Sequence, residues 1–337
     1  MPTTLPKPYL LFLGDETEVG NVKTSSGIAF WRSEQCVGQI SLDGGTVDLG
    51  LPQVTIAQAK EAGAKTLVIG IANFGGRVSE NWMPVLKDAL RSGLNIAAGL
   101  HTQLNNVPEL VELAENYNRK LFDIRQPEQQ FNVGKGNKRT GKRLLSVGTD
   151  CSVGKMYTSL SIEKELVARG YNADFRATGQ TGIFITGEGV CVDAVVSDFI
   201  AGATEVLSPD NETNHWDVIE GQGSLFHPAY AGVTLGLLHG SQPDALVLCH
   251  DASRETIEDY PDFPIPEFGD CMDFYIAAAK LTNPNVYFVG MSINTSKLDE
   301  DSAIKYLKSL EQKYALPCCD PVRTGVSGIV DRMIELT

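Results

Sequence analysis

The chain has 337 residues, 42% of them hydrophobic, and a formal net charge of -14. A chain of this length can bury enough apolar surface for two domains. The negative charge repels a polyphosphate backbone, so we expect no nucleic-acid partner. No apolar run reaches the roughly 18 residues that cross a bilayer, and the N-terminus shows no signal-peptide cleavage pattern. We therefore expect a cytoplasmic protein without a membrane partner.

The cysteine and histidine spacings bear on metal binding. The seven cysteines form an odd set without a CxxC pair, and no HExxH or HxxxH spacing occurs. These patterns argue against a disulfide framework and against a zinc site. We expect reduced thiols and no resident metal.

The first part of the chain alternates short apolar runs, at 9–14, 66–72, 95–100 and 120–125, with helical patterns. This alternation predicts a parallel sheet covered by helices on both faces, an α/β domain. Ligands of such sheets bind at the carboxyl ends of the strands, where Gly14, Gly70 and Gly99 stand in this chain.

A polar stretch at 126–142 carries Lys135, Lys138, Arg139 and Lys142 and lacks apolar periodicity. Such a stretch predicts a linker with solvated charges. We place a first domain at 1–130, the linker at 131–142 and a second domain at 143–337. The second domain again alternates, with strands predicted at 173–178, 216–221, 244–250 and 285–294, and helices near 193–206, 271–281, 299–313 and 323–335.

The stretch "GTDCSVGKM", from Gly148 to Met156, joins a predicted strand to a predicted helix. In a P-loop, backbone N–H groups and a lysine cradle phosphate oxygens, and Gly154 and Lys155 fit that pattern. Met156 replaces the hydroxyl that would bind Mg²⁺. The loop therefore predicts a site for a diphosphate that undergoes no chemistry, such as the pyrophosphate of coenzyme A. The candidate cofactor-binding residues are Thr149, Asp150, Cys151, Ser152, Val153, Gly154, Lys155 and Met156.

The stretch "VIEGQGSLFHPAY" follows a predicted strand at 218–230. Glu220 stands where P-loop proteins place an acid that contacts metal or water. Glycines let backbone N–H groups approach a developing oxyanion, and His227 is either the general base or a structural hydrogen bonder. The candidate substrate-binding residues here are Gly221, Gln222, Gly223 and Ser224.

Two further stretches carry groups that can bind substrate carboxylates. In "RATGQTG", Arg176 offers a bidentate fork, and Gln180 and Thr181 offer an amide and a hydroxyl. In "NVKTSSGIAFWR", Arg32 ends a short cationic segment that either meets a carboxylate or is solvated.

The chain resembles the P-loop-fold family that includes D-glutamate N-acetyltransferase, over roughly residues 10 to 330. The resemblance rests on "VGTDCSVGKM", "ATGQTG", "DFIAGA", "IEGQGSLFHPAY" and "LLHGSQPDALVLCH", with "VKTSSGIAFWR", "IGIANFGG", "GLHTQL" and "DIRQP" in the first domain. Members of that family share the methionine after the lysine. The fold implied is an N-terminal Rossmann-like parallel-sheet domain followed by a P-loop NTPase-like α/β domain.

The resemblance implies acetyl transfer from acetyl-CoA, without a metal, to the amino group of D-glutamate, a step of D-amino-acid catabolism. The P-loop would hold the coenzyme A phosphates, and His227 or Glu220 would take a proton from the substrate ammonium. One or more of Arg32, Arg125 and Arg176 would pair with the two substrate carboxylates.

Two alternatives stay open. An Mg-ATP-dependent kinase or ligase acting on a small carboxylate would need a substitute magnesium ligand, Asp150 or Glu220. A nucleotide sensor would bind without turnover. EDTA separates the acetyltransferase from the kinase, because only phosphoryl transfer needs a metal. We also expect a symmetric homo-oligomer.

Overall fold

The computed structural model describes residues 4–71, 76–127 and 129–336, so the middle of the "IGIANFGG" motif, at 72–75, lies outside the described residues. Strands are numbered in chain order: β1 Tyr9–Gly14, β2 Cys36–Ser41, β3 Thr66–Ile69, β4 Asn95–Ala98, β5 Leu121–Asp123, β6 Lys142–Gly148, β7 Ala173–Arg176, β8 Trp216–Ile219, β9 Ala245–Asp251, β10 Thr256–Ile257, β11 Tyr260–Pro264, β12 Tyr287–Asn294 and β13 Cys318–Cys319.

Helices are numbered in the same way: α1 Lys23–Arg32, α2 Ile56–Glu61, α3 Met83–Arg91, α4 Pro108–Asn116, α5 Lys155–Ala168, α6 Gln180–Thr186, α7 Ile200–Leu207, α8 Ala231–Ser241, α9 Phe268–Ala279, α10 Glu300–Tyr314 and α11 Ser327–Leu336. In the described part of the chain, no helix combines the length and the apolar character that crossing a membrane requires.

The chain forms two compact units. The first comprises Met1–Gln129 and Gly179–Ala194, and the second comprises Gln130–Thr178 and Val195–Thr337. The segment 179–194, which we expected in the second domain, therefore packs in the first unit. It is held there by a bond of 3.1 Å between the Thr24 and Thr181 hydroxyls and by Lys7 Nζ, which donates to the Thr186 carbonyl at 3.0 Å.

The first unit is built on a five-stranded sheet in the order β2-β1-β3-β4-β5, with every neighbouring pair parallel. All six residues of β1, which lies between β2 and β3, are buried. A run of apolar residues buried on both faces is typical of a parallel strand, since helices cover the sheet on each side.

The second unit contains a six-stranded parallel sheet in the order β13-β12-β9-β6-β8-β7. Strand β6 lies in its middle, and successive residues of β6 enter different cores. Leu145 and Val147 pack with residues of α8 and α9, whereas Leu144 packs with residues of α5 and α11. These two parallel sheets confirm the predicted α/β class.

Two local predictions need correction, and two elements were not predicted. The helix predicted at 193–206 starts only at Ile200, after 3₁₀ turns at Val192–Ala194 and Ser197–Phe199. Helix α6 and the antiparallel hairpin β10–β11 were not predicted. Arg139 of the expected linker is not solvated: its Nη2 donates to the Gly240 carbonyl at 2.7 Å, and burial lowers its pKa to about 10.

Candidate active site

The P-loop begins at the carboxyl end of β6 and ends where α5 starts at Lys155. Ser152 and Gly154 adopt left-handed backbone conformations, with φ of 55° and 99°. Glycine tolerates that conformation without steric cost, and such turns direct successive N–H groups toward one point. The loop therefore has a backbone geometry that suits an anion at the N-terminus of a 14-residue helix.

Lys155 folds back across this loop. Its Nζ donates to the Asp150 carbonyl at 2.7 Å, and only 7% of the residue is exposed. Burial lowers the pKa of Lys155. A cation in so dry a site gains much from an anionic ligand, because neighbouring charges interact more strongly there than in water.

Asp150 ties the P-loop to the segment after β9. Its Oδ1 accepts from the Cys151 N–H at 2.6 Å, and its Oδ2 accepts from Arg254 Nη1 at 2.6 Å and from the Glu258 N–H at 2.8 Å. The residue is fully buried. Both carboxylate oxygens are thus engaged in protein contacts.

Thr149 pairs with a histidine of the neighbouring strand. Its hydroxyl lies 2.8 Å from Nδ1 of His250, which is 3% exposed. Burial lowers the pKa of His250 to about 4. His250 is therefore neutral at neutral pH and acts as a fixed support for the loop.

Glu220 follows β8 and forms two hydrogen bonds with Thr178, which follows β7. Its Oε2 accepts from the Thr178 N–H at 2.9 Å, and the Thr178 hydroxyl donates to the Glu220 carbonyl at 2.7 Å. Gln222 joins the same group by donating from Nε2 to the Thr178 hydroxyl at 3.2 Å. The buried carboxylate is thereby fixed in one orientation.

The two glycines after Glu220 differ in role. Gly221 donates its N–H to Ser146 Oγ at 3.0 Å, and a Cβ there would lie 1.7 Å from the Ser146 carbonyl oxygen. That N–H is therefore engaged with β6, although we expected it to face an oxyanion. Gly223 has φ of 65°, and Ser224 Oγ donates to the Gly148 carbonyl at 2.9 Å, which attaches this segment to the P-loop.

His227 lies beside the P-loop and is 3% exposed. Its Nδ1 accepts from the Ala229 N–H at 3.1 Å, so the neutral ring carries its proton on Nε2. A ring nitrogen of His227, the Cys151 thiol and an Asp150 carboxylate oxygen lie within 4.8 Å of one another. His227 is therefore arranged to donate a hydrogen bond next to the loop.

The other predicted substrate residues lie in several places. In the second unit, Arg176 pairs with Asp217 at 2.7 Å and with Asp174 at 3.0 Å. In the first unit, Arg125 pairs with Asp193 at 2.8 Å, and Arg32 Nη1 donates to the Trp31 carbonyl at 2.8 Å.

Gln180 and Thr181 also belong to the first unit. Gln180 packs so closely on Gly99 that a Cβ there would lie 1.7 Å from its Oε1. The second unit thus brings together the P-loop, the segment 220–224 and His227.

The donor set also contains groups that metals bind. Besides Asp150, Cys151 and His227, the described residues hold one more such group, Asp174, His215 and Asp217. Guanidinium groups already neutralise carboxylates in both groups, through Arg254 in the first and Arg176 in the second.

The residues that support the loop from elsewhere in the chain were not predicted from the sequence. His250 belongs to β9, and Arg254 lies in the segment after it. Tyr275 of α9 donates from its hydroxyl to the Gly148 carbonyl at 2.8 Å. The available signal was position, because His250 ends the strand predicted at 244–250 and Arg254 lies just beyond it.

Family models match both halves of the chain. A model described as a Rossmann-like domain of unknown function, DUF1611_N, matches residues 36–127, and one described as a P-loop domain, DUF1611_C, matches residues 131–330. These matches confirm the Rossmann-like and P-loop character expected for the two domains.

Relatives of known name match nearly the whole chain. A D-glutamate N-acetyltransferase of Pseudoalteromonas sp is 53% identical over 96% of this chain and 97% of its own length. A second D-glutamate N-acetyltransferase, from Tritonibacter scottomollicae, is 51% identical over 97% of this chain and 98% of its own length. The crystal structure of a DUF1611 family protein from Anabaena variabilis is 33% identical, with a TM-score of 0.86, and the match covers 98% of this chain and 100% of that one.

Proposed function

Because this chain belongs to the DUF1611 family, we propose that it transfers the acetyl group of acetyl-CoA to the amino group of D-glutamate. The relatives that carry this activity in their names support the proposal, since each is more than half identical over nearly its full length. The site adds an independent argument.

One observation on the P-loop carries the proposal. The oxygen atoms that could bind magnesium are either replaced by another side chain or already hydrogen-bonded to the protein. Met156 follows Lys155, and both carboxylate oxygens of Asp150 accept hydrogen bonds from the protein. The loop keeps the backbone N–H groups and the lysine that bind phosphate oxygens. Such a loop suits a diphosphate that is held and not cleaved. Gly154, Lys155 and the backbone of 149–153 would hold the diphosphate of acetyl-CoA.

The chemistry requires a base, because only the neutral amine attacks a thioester. We assign this role to Glu220. The Glu220 carboxylate takes one proton from the substrate ammonium, and the neutral amine nitrogen then forms a bond to the thioester carbonyl carbon. When the carbon–sulfur bond breaks, the carboxyl group returns that proton to the sulfur and coenzyme A leaves as the thiol, while the second proton that the nitrogen loses passes to solvent. The products are N-acetyl-D-glutamate and coenzyme A.

We assign His227 to ligand binding, because its Nδ1 is occupied by the Ala229 N–H and its Nε2 therefore donates. Its position beside Cys151 suits a phosphate oxygen. Arg32, with Gln180 and Thr181, is proposed for the substrate carboxylates. Arg125 and Arg176 are weaker candidates, because aspartates already neutralise their charges.

The assay that tests this function follows thiol release from acetyl-CoA with D-glutamate, L-glutamate or neither, in the presence of EDTA. Release with D-glutamate only is the expected result. Equal release with both enantiomers would contradict the stereochemistry. No release, together with Mg²⁺-dependent ATP consumption in a parallel sample, would replace acetyl transfer by phosphoryl chemistry.

A further inference from the structure

An aromatic cluster surrounds His227 on the second unit. The Tyr230 ring lies 4.5 Å from the His227 ring at 32°, and the Tyr260 ring lies 5.1 Å from it at 79°. Phe263 extends the cluster, with its ring 5.9 Å from that of Tyr260. We call Tyr230, Tyr260 and Phe263 the aromatic platform.

Two of the three platform residues are exposed, although they are large and partly apolar, and Tyr260 is half-buried. Tyr230 is 51% and Phe263 48% exposed. A contiguous group of exposed aromatic side chains commonly marks a binding surface. The rings can stack on a flat ligand, which gives favourable contact with little loss of side-chain entropy.

The hairpin that carries two of the three rings is anchored to the P-loop. Arg254 precedes β10 and pairs with Asp150 at 2.6 Å, and the Glu258 N–H in the hairpin turn donates to the same carboxylate at 2.8 Å. On the other side, His227 joins Tyr230 to the loop residue Cys151. The platform therefore has a fixed position, and the His227 ring lies between it and the proposed diphosphate site.

This position selects one part of the cofactor. Acetyl-CoA contains a single aromatic group, adenine, which one ribose with a 3'-phosphate separates from the diphosphate. The hairpin carries Glu258, Asp259 and Asp262, and no lysine or arginine occurs at 255–279. These charges leave a neutral base unaffected and require the 3'-phosphate of the ribose to point away from the hairpin. Adenine is thus the part that fits.

We propose that the aromatic platform stacks the adenine ring of acetyl-CoA, an assignment that rests on the proposed function. Stacking of a base on an aromatic side chain is worth about tenfold or more in affinity. Tyr230→Ala and Phe263→Ala should each weaken coenzyme A binding by about that factor. Tyr230→Phe keeps the ring and should restore the affinity.

The test is calorimetric titration of the full chain with coenzyme A and with 4'-phosphopantetheine, which lacks adenine together with the ribose, its 3'-phosphate and one phosphate of the diphosphate. Both alanine variants should bind coenzyme A more weakly than the wild type does. Their affinity for 4'-phosphopantetheine should equal that of the wild type. Tyr171→Ala is the matched control, because this exposed tyrosine lies beyond the other end of α5, roughly 20 Å from the loop. Circular dichroism and thermal melting check the fold of each variant.

Three results would overturn the assignment. Unchanged coenzyme A affinity in both alanine variants would remove the platform from the site while leaving the proposed function intact. Equal losses for both ligands would indicate a damaged loop. A change of oligomeric state with unchanged affinity would make the platform an interface between copies of the chain. A wild-type chain that binds no coenzyme A would instead contradict the proposed function itself.

Discussion

At the scale of single residues, the hydrogen bond from the Ala229 N–H to Nδ1 of His227 decides between the two candidate bases, Glu220 and His227. Glu220→Gln keeps an acceptor for the Thr178 N–H but removes the basic oxygen. We expect it to lower kcat by about a hundredfold or more, with little change in coenzyme A affinity. His227→Gln should mainly raise the KM for acetyl-CoA. Steady-state kinetics with both substrates varied measures the two effects.

The pH dependence of kcat adds a second measurement of the base. If Glu220 is the base, the acidic limb of the wild-type profile should be absent in Glu220→Gln and present in His227→Gln. The reverse pattern would return the base role to His227 and would require the Ala229 contact to break during turnover.

His250 makes folding stability depend on pH. Its pKa in the folded chain is about 4, below the ordinary value of 6.5. Between these values the unfolded chain binds more protons, so the free energy of unfolding falls as the pH falls. The contribution of His250 to the free energy of unfolding should decrease by about 2 kcal/mol as the pH falls from 6.5 to 5.

Urea titrations of the wild type and of His250→Asn measure this contribution. The asparagine can replace Nδ1 as a partner of the Thr149 hydroxyl and does not titrate. The pH dependence of the variant should be shallower than that of the wild type. Parallel curves for the two proteins would show that His250 does not remain neutral in the fold.

The chemistry of the P-loop was readable from the sequence because its residues are consecutive. Gly154, Lys155 and Met156 lie within a single motif, which defines both the anion site and the missing hydroxyl. The residues that orient the motif are distant in sequence. Arg254 is 104 positions from Asp150, so only the folded chain reveals their contact.

At the scale of elements, one buried carboxylate, that of Asp150, binds the hairpin β10–β11 and the arginine that precedes it. Asp150→Ala removes the acceptor for both Arg254 and the Glu258 N–H. Amide hydrogen exchange at 256–264 should then quicken by about tenfold or more, whereas the amides of β9 keep their protection.

The exposed ion pair between Arg169 and Asp331, also at 2.6 Å, supplies the control. Asp331→Ala should leave exchange in the hairpin unchanged, since solvent screens a surface pair. Equal exchange in Asp150→Ala and in the wild type would mean that other contacts hold the hairpin.

The elements that the sequence did not predict have physical explanations. Helix α6 has only seven residues and lies between glycines, and Gly187, with φ of 92°, ends it. Its glycine content lowers the helix signal. The helix packs against α1, and this contact stabilises it. The hairpin strands are short, and Pro261 and Pro264 obscure the strand pattern of β11.

At the scale of the whole molecule, the two parallel sheets follow from the alternation of apolar runs and helical patterns. The membership of 179–194 in the first unit does not, since it depends on contacts such as that between Thr24 and Thr181, which are 157 positions apart. The symmetric homo-oligomer stays a prediction.

The central claim is that the P-loop holds acetyl-CoA for transfer and cleaves no phosphate. The most direct measurement is the KM for each substrate in Lys155→Ala, with Lys164→Ala as the control, because Lys164 is an exposed lysine of the same helix. We expect the KM for acetyl-CoA to rise by about tenfold or more in Lys155→Ala, with that for D-glutamate nearly unchanged. An unchanged KM for acetyl-CoA would contradict the claim and remove the loop from the cofactor site.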